Sequence, residues 1–423
     1  MSPRRDLLVI GAGPAGSATA YWAAKAGLDV LVVERKQFPR DKTCGDGLTP
    51  RAVKSLNDMG LGQQISSYHR YYGLRAVAHN RSLELQWPQH SVFPNYGYVV
   101  RRRELDQMVI DHAVAAGAEL RLNTEATHPI LENHLLNGAE VLNKTTGRTE
   151  AVLARYLAVA DGANSRFGRA LGTTRDRSYP QGMAIRTYFE SPLHDTPWIE
   201  SSLNLHDRSG NSLPGYGWIF PVGDGTVNVG AGLLSTYRYY NSVNTSHLIG
   251  EFAATLPSYW KINPQKPLMA PVGGRLPMAG SVFPKAGTNH IVVGDAAGSV
   301  NPFNGEGIDY AYETGKMAAE LVAEAIATNN SNALARYPKL LEEHYGAYFR
   351  VARLFTHLIG RPALLRMLTQ AGMRSRPTME LALRIMANLM DSENPGTAKR
   401  IYSVATKLIA ATSRLKPAEA AGK

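Results

Sequence analysis

The sequence predicts an α/β fold built on a parallel, doubly wound sheet. An inserted antiparallel sheet and a helical carboxy-terminal region make it α+β when the whole chain is counted. Three observations carry this expectation. The first 34 residues read as strand, glycine turn, helix and strand. Between residues 179 and 271 aromatic residues and turn formers alternate without a long helical pattern. Beyond residue 307 the apolar spacing becomes helical almost to the end.

Residues 6–10 form a short apolar run with no polar alternation, as expected of a strand covered on both faces. Gly11-Ala12-Gly13-Pro14-Ala15-Gly16 follows at once. Residues 17–25 are an Ala-rich helix stopped by Gly27, and residues 29–33 a second buried strand ending at Glu34, 23 positions after Gly11. Gly11 permits a tight turn, Gly13 lets backbone approach a pyrophosphate, and Gly16 lets helix lie close on strand. The helix N-terminus supplies N–H donors and partial positive charge, and Glu34 can accept from ribose hydroxyls. A bare GxGxxG is weak evidence, but here all the parts fall in register, which indicates dinucleotide binding.

Residues 35–47 hold too many breakers for a helix or strand and read as a loop. Residues 50–59 suggest a helix stopped by Gly60, and residues 74–87 suggest antiparallel strands. Arg101-Arg102-Arg103 opens a helix that Gly117 ends. Residues 119–127, 139–142 and 151–160 are strand candidates, the last running into Asp161-Gly162. Residues 290–295 return to the first domain as a buried strand, followed by a helix over 307–327. Val351, Leu354, Phe355, Leu358 and Ile359 follow an i, i+3, i+4 pattern that Ile401, Val404, Ala405, Leu408 and Ile409 repeat. The expected division is 1–75, 99–176 and 284–335 for nucleotide binding, 76–98 and 177–283 for a substrate sheet, and 336–423 for basic amphipathic helices.

Composition excludes several classes. No apolar stretch approaches the ~18–20 residues needed to span a bilayer. Arg4-Arg5 precede a glycine turn rather than a signal cleavage site, which argues against export. The single cysteine, Cys44, excludes internal disulfides and suits a reducing cytoplasm. His112, His206 and His344 lack metal-like spacing, and no GxSxG or catalytic carboxylate pair points to hydrolysis. Charge is uneven: residues 336–423 hold 15 Lys/Arg against 6 Asp/Glu, a net of +9 within the chain's +11. Such an end could be a solvated basic face or could meet a polyanion; of nucleic acid and an anionic membrane surface the membrane is expected, with the protein peripheral on the inner face and no nucleic acid bound.

A second glycine site lies far down the chain. Gly294-Asp295 ends a strand, and Pro302-Phe303-Asn304-Gly305-Glu306-Gly307 opens a helix. The carboxylate can bind sugar-like hydroxyls, and the helix end can stabilise negative charge such as that of a reduced flavin. With the amino-terminal fingerprint this fits one elongated ligand, FAD.

The sequence resembles the single-dinucleotide flavoproteins of the p-hydroxybenzoate-hydroxylase type. The markers are Gly11, Gly13 and Gly16, Arg102-x-x-Leu105-Asp106, Asp161-Gly162 and Gly294-Asp295. Within that group it is similar to the geranylgeranyl reductase family through Pro39-x-x-Lys42-x-Cys44-Gly45-Asp46-Gly47 and Tyr216-x-Trp218-x-Phe220-Pro221 followed by Gly230-Ala231-Gly232. The strings 44–53, 214–221 and 304–310 are most like the branch acting on menaquinone. The resemblance implies FAD contacts at Gly11, Gly13, Ala15, Gly16, Glu34, Arg35, Cys44, Gly45, Arg102, Ala126, Asp161, Asp295, Gly305, Gly307 and Ile308. Tyr216, Trp218, Phe220 and Pro221 would meet an isoprenoid substrate, with Cys44, Tyr216 and Trp218 nearest the chemistry. Glu306 stands where archaeal relatives commonly have glycine, adding a carboxylate beside the flavin.

The implied reaction is reduction of a C=C bond in the isoprenoid side chain of menaquinone. The same chemistry on a geranylgeranyl lipid is the alternative, and a flavin monooxygenase or halogenase, or a lipid-binding adaptor, is a more distant one. Halogenases carry W-x-W-x-I-P, and Tyr216 and Phe220 depart from it. One dinucleotide fingerprint leaves NAD(P)H without a domain of its own, so it docks transiently or a separate reductase supplies electrons. The proton donor stays open between Cys44, Tyr216 and water.

Overall fold

The computed structural model describes residues 4–132, 135–207, 210–390, 400 and 403. Its first sheet sets Glu119–Arg121, Val30–Val33, Arg5–Ile10, Thr149–Val159 and His290–Val292 side by side, all parallel. Alternate side chains explain why these strands are apolar throughout. Leu7, Val9, Val30 and Val32 pack toward the helices Pro14–Lys25, Arg102–Ala115 and Ile308–Ala327. Leu8, Ile10, Leu31 and Val33 pack with Leu136, Ala139 and Val141 from an antiparallel hairpin of Thr124–Glu132 and Leu135–Asn143. That hairpin pairs with the first half of Thr149–Val159, whose second half stays in the parallel core.

The second sheet runs in the order Val272–Pro277, Gln181–Glu190, Thr226–Leu234, Gly215–Pro221, Trp198–Ser202, Gly73–Ala78 and Arg81–Gln86. Its pairings are antiparallel except that of Trp198–Ser202 with Gly73–Ala78, which is parallel. That exception arises because residues 73–86 enter the sheet from an earlier part of the chain. Val227, Val229 and Ala231 bury one face against a helix, Thr245–Ala254. No helix was expected there. Its apolar residues Leu248, Ile249, Phe252 and Ala253 follow helical spacing, but only across a single short patch.

Other boundaries shift for local reasons. The first helix begins at Pro14, where a proline loses no hydrogen bond. The segment 119–127 breaks into two strands at Asn123, whose φ is +50°. Toward the carboxy terminus, the helix Ala347–Ile359 buries Tyr348, Phe349, Ala352, Thr356 and Ile359. Leu354 and Leu358, from the regularly spaced apolar set, are 46% and 40% exposed. Aromatic rings win the core here: Tyr345 and Phe349 pack against Tyr310, and Tyr348 against Phe303. The expected helix through Ile401 to Ile409 lies outside the described residues. Among the described residues, no helix is long and apolar enough to cross a membrane, and no His/Cys/Asp/Glu group is arranged for a metal.

Candidate active site

Three neighbouring parallel strands end at the same edge, and each delivers one glycine element. Gly11 turns at φ +101°, and a Cβ there would lie 2.5 Å from Ala160 O and 3.2 Å from Asp161 Cα. A Cβ on Gly16 would fall 1.8 Å from Gly11 O. A Cβ on Gly294 would fall 2.7 Å from Ala15 Cβ. Gly11, Ala15, Gly16, Asp161 and the Gly294-Asp295 turn therefore meet at one place, the carboxyl end of the sheet.

Gly13 is different, because nothing in the protein demands a glycine there. Its φ is −76°, and an added Cβ would meet only the Arg40 guanidinium, at 3.5 Å. The helix it precedes has no side-chain cap and no acid in its first turn. Its leading N–H groups are thus available to an anion approaching over a bare backbone. Glu34 is buried beside this turn and accepts from Ala12 N and Lys36 N, each at 3.0 Å. Arg40 sits 3.8 Å from Glu34 and 3.0 Å from Asp106. Burial works against the charge of Arg102, but two 2.8 Å bonds to Asp106 more than offset it and hold the guanidinium charged. These residues fit the pyrophosphate and ribose of a dinucleotide. Arg35 is exposed beside Glu34, and Ala126 lies half-buried on the adjoining hairpin. Asp161 accepts from Phe167 N at 3.0 Å, while its other oxygen is buried without a partner and burial raises its pKa.

The far end of the cleft is built from three segments. Tyr216, Trp218 and Phe220 alternate out of Gly215–Pro221 and face the Cys44–Gly47 loop: Cβ atoms on Gly45 and Gly47 would meet the Phe220 ring at 2.8 and 3.0 Å. Pro221 ends that strand and is buried. Trp218 is also buried, and its indole donates to Asn228 at 3.0 Å. A Cβ on Gly230 would strike the same indole at 2.1 Å, which explains the first glycine of the Gly-x-Gly after the aromatic motif. Asn228 in turn donates to Cys44 O at 2.9 Å and Asp46 at 2.7 Å. Tyr188 OH and Arg102 N also donate to Asp46, a fully buried residue with φ +67°. Burial still raises the Asp46 pKa, against these bonds.

The third segment is the turn before Ile308–Ala327. Tyr216 OH donates to Asn304 O at 2.5 Å, and Thr49 Oγ1 donates to Glu306. A Cβ on Gly307 would lie 3.3 Å from Asp295 Oδ1, which joins this turn to the phosphate end. Gly305 has φ +76°, and Ile308 is buried in the first helical turn, which again lacks a side-chain cap. Cys44, Gly45, Tyr216, Asn304, Gly305, Glu306 and Gly307 each keep accessible surface where the three segments meet.

Sequence reasoning assigned no role to Arg40, Asn228, Tyr188 or Asn301. Asn301 is fully buried, holds Tyr348 and Met386 O, and accepts from Phe303 N at 3.0 Å, so it sets the Asn304–Gly307 turn. A cation four residues before Cys44 was the one readable signal; the others are isolated polar residues in apolar strands or turns.

Comparison with known proteins agrees with this geometry. Residues 4–223 match the family model described as an FAD binding domain. The menaquinone reductase of Mycolicibacterium smegmatis is 41% identical over 413 residues, covering 96% of this chain and 97% of that protein. A digeranylgeranylglycerophospholipid reductase of Methanosphaera stadtmanae is 32% identical over 82% of this chain and 85% of its own. Among solved structures, a geranylgeranyl bacteriochlorophyll reductase-like protein from Thermoplasma acidophilum superposes with a TM-score of 0.78 at 24% identity, covering 95% and 99% of the two chains. A flavin-dependent brominase gives 0.75 at 19% identity, which speaks for the fold alone. The chain belongs to the FAD-dependent geranylgeranyl reductase family, which contains the menaquinone reductases, and FAD is its cofactor.

Proposed function

We propose that this protein saturates one C=C bond in the isoprenoid side chain of menaquinone. The observation that carries the reading is the 41% identity to menaquinone reductases along 96% of the chain, nucleotide-binding and substrate sheets alike. Reduced FAD, when bound, supplies hydride to one alkene carbon. That carbon is the more substituted one, where positive charge develops as the other carbon takes a proton, and the half-buried rings of Tyr216 and Phe220 present π-faces that stabilise it. Trp218, clamped between Asn228 and Gly230, holds that wall and the Cys44 loop in place. Burial raises the pKa of Cys44 above its ordinary value, despite Arg102, so the thiol stays protonated.

In cells lacking the protein, mass spectrometry is expected to find menaquinone with one more double bond in its side chain. An unchanged degree of saturation refutes the assignment. The runner-up substrate, a geranylgeranyl lipid, is favoured by the 32% identical archaeal relative. Anaerobic turnover with each lipid separates the two, and an oxygen requirement would point to monooxygenation instead. The electron donor in this reading is NAD(P)H docking transiently, or a separate reductase.

Membrane contact belongs to the same proposal. Leu354, Leu358, Met367 and Leu368 are exposed on the helices Ala347–Ile359 and Pro362–Gly372, with Arg350, Arg361 and Arg366 exposed among them. Apolar residues edged by arginine suit an anionic bilayer on the cytoplasmic side, each near-surface charge contributing about 1 kcal/mol. The protein is expected to float with anionic vesicles at low salt and to stay behind with zwitterionic ones. Leu358→Asp with Met367→Asp should abolish flotation; an unchanged profile for this variant rejects the surface.

A further inference from the structure

We propose that Glu306 is the proton donor of the reaction, its carboxyl hydrogen passing to the alkene carbon that receives no hydride. This rests on the isoprenoid reduction proposed above and adds the group that completes it. The balance is simple. One carbon takes hydride from reduced FAD, which is oxidised by two electrons; the other takes the Glu306 proton, the O–H bond breaking to leave a carboxylate. Water restores the proton between turnovers.

Geometry comes first. Glu306 stands in the turn whose Asn304 carbonyl holds the Tyr216 hydroxyl, and Thr49, two residues past the Cys44–Gly47 loop, donates to its Oε1. The side chain is therefore tied to two of the three segments that meet here, and Glu306 keeps accessible surface. Oε2 has only a long 3.3 Å contact from Asn304 Nδ2 and is the atom placed to carry the proton.

The surroundings keep that proton in place. Arg51 is the cation of a buried cluster that also holds Asp309 and Glu313. Its guanidinium spends two 2.7 Å bonds on Glu313 and faces Asp309 at 3.3 Å, leaving little for Glu306. Both Asp309 oxygens are buried without a hydrogen bond. The other titratable groups facing the cluster are the hydroxyls of Tyr71, Tyr216, Tyr310, Tyr345 and Tyr348, all raised by burial and neutral at physiological pH. Three carboxyls around one guanidinium cannot all ionise in so dry a place. Burial, with Glu313 adding to it, pushes Glu306 up to about 7, against the pull of Thr49, Arg51 and Asn304. A donor matched to neutral pH outperforms a raised cysteine or tyrosine.

The test uses the FAD-loaded protein. With the flavin pre-reduced, its anaerobic reoxidation by menaquinone is expected to slow above about pH 7 in the wild type. Glu306→Gln should lower this rate between about 100- and 10,000-fold and erase that pH limb. Infrared difference spectra taken without substrate give an independent reading. A protonated-carboxyl carbonyl band should titrate near neutral pH, vanish in Glu306→Gln, and persist in Asp309→Asn. Flavin absorbance and melting temperature verify that each variant is loaded and folded. A wild-type rate and pH limb in Glu306→Gln, or a carboxyl already ionised well below neutrality, overturns the role of Glu306 alone. Failure of the wild type to saturate any quinone overturns the parent reading and this one together.

Discussion

Replacing Gly13 with alanine is expected to yield a folded but colourless protein. The backbone at Gly13 has φ −76°, which alanine adopts freely, and the nearest protein atom to the new methyl is Arg40 NH2, 3.5 Å away. Melting should therefore shift little. The methyl instead stands where the pyrophosphate approaches the helix N-terminus, and FAD affinity should fall at least 100-fold, about 2.7 kcal/mol. Gly16→Ala supplies the contrast. Its methyl would lie 1.8 Å from Gly11 O and 3.2 Å from Ala160 Cβ, backbone and packed atoms that cannot step aside. That variant should lose stability as well as flavin, by about 1–3 kcal/mol of overpacking. Flavin fluorescence titration and thermal melts of both variants make the check. If Gly13→Ala retains yellow flavin at wild-type affinity, the cofactor does not lie against this turn.

The contrast shows which parts of the molecule could be read from sequence. The glycine turn, its helix and Glu34 are local: their spacing within 34 residues reports a geometry that neighbouring residues enforce. The alternation of Tyr216, Trp218 and Phe220 was equally readable, because strand pleating alone puts them on one face. The clamp on the Cys44 loop was not. Asp46 finds Tyr188 and Asn228 at separations of 142 and 182 residues, and no periodicity announces such a pairing. The helix Thr245–Ala254 escaped because ten residues against a sheet need only one apolar patch, too short to display a period. On Ala347–Ile359 the spacing identified a helix but not which residues it buries, because a second apolar set, Tyr348 and Phe349, had more surface to bury than Leu354 and Leu358.

Arg51 is the residue whose loss should cost the fold most. Its guanidinium lies between the rings of Phe93 and Tyr310, 5.2 and 5.4 Å from their centroids, and bonds Glu313 and Asn388 O. Arg51→Met preserves much of the packing between those rings but leaves Glu306, Asp309 and Glu313 without a cation. Breaking a buried pair in this way typically costs about 3–5 kcal/mol, a large share of the ~5–15 kcal/mol that holds a domain together. The pH dependence separates this cause from lost packing. In the wild type, Glu306 is pushed up to about 7 from an ordinary 4.5, so the folded chain keeps a proton that the unfolded chain has already released. Stability therefore falls as pH rises across that window. Without Arg51 the folded-state values of Glu306 and Asp309 rise further, so the decline should steepen and extend above pH 7, while acidification restores part of the loss. Urea titrations of both proteins from about pH 5 to 8 measure this directly. A deficit of constant size across that range would mean that Arg51 serves the fold through its bulk and not through its charge.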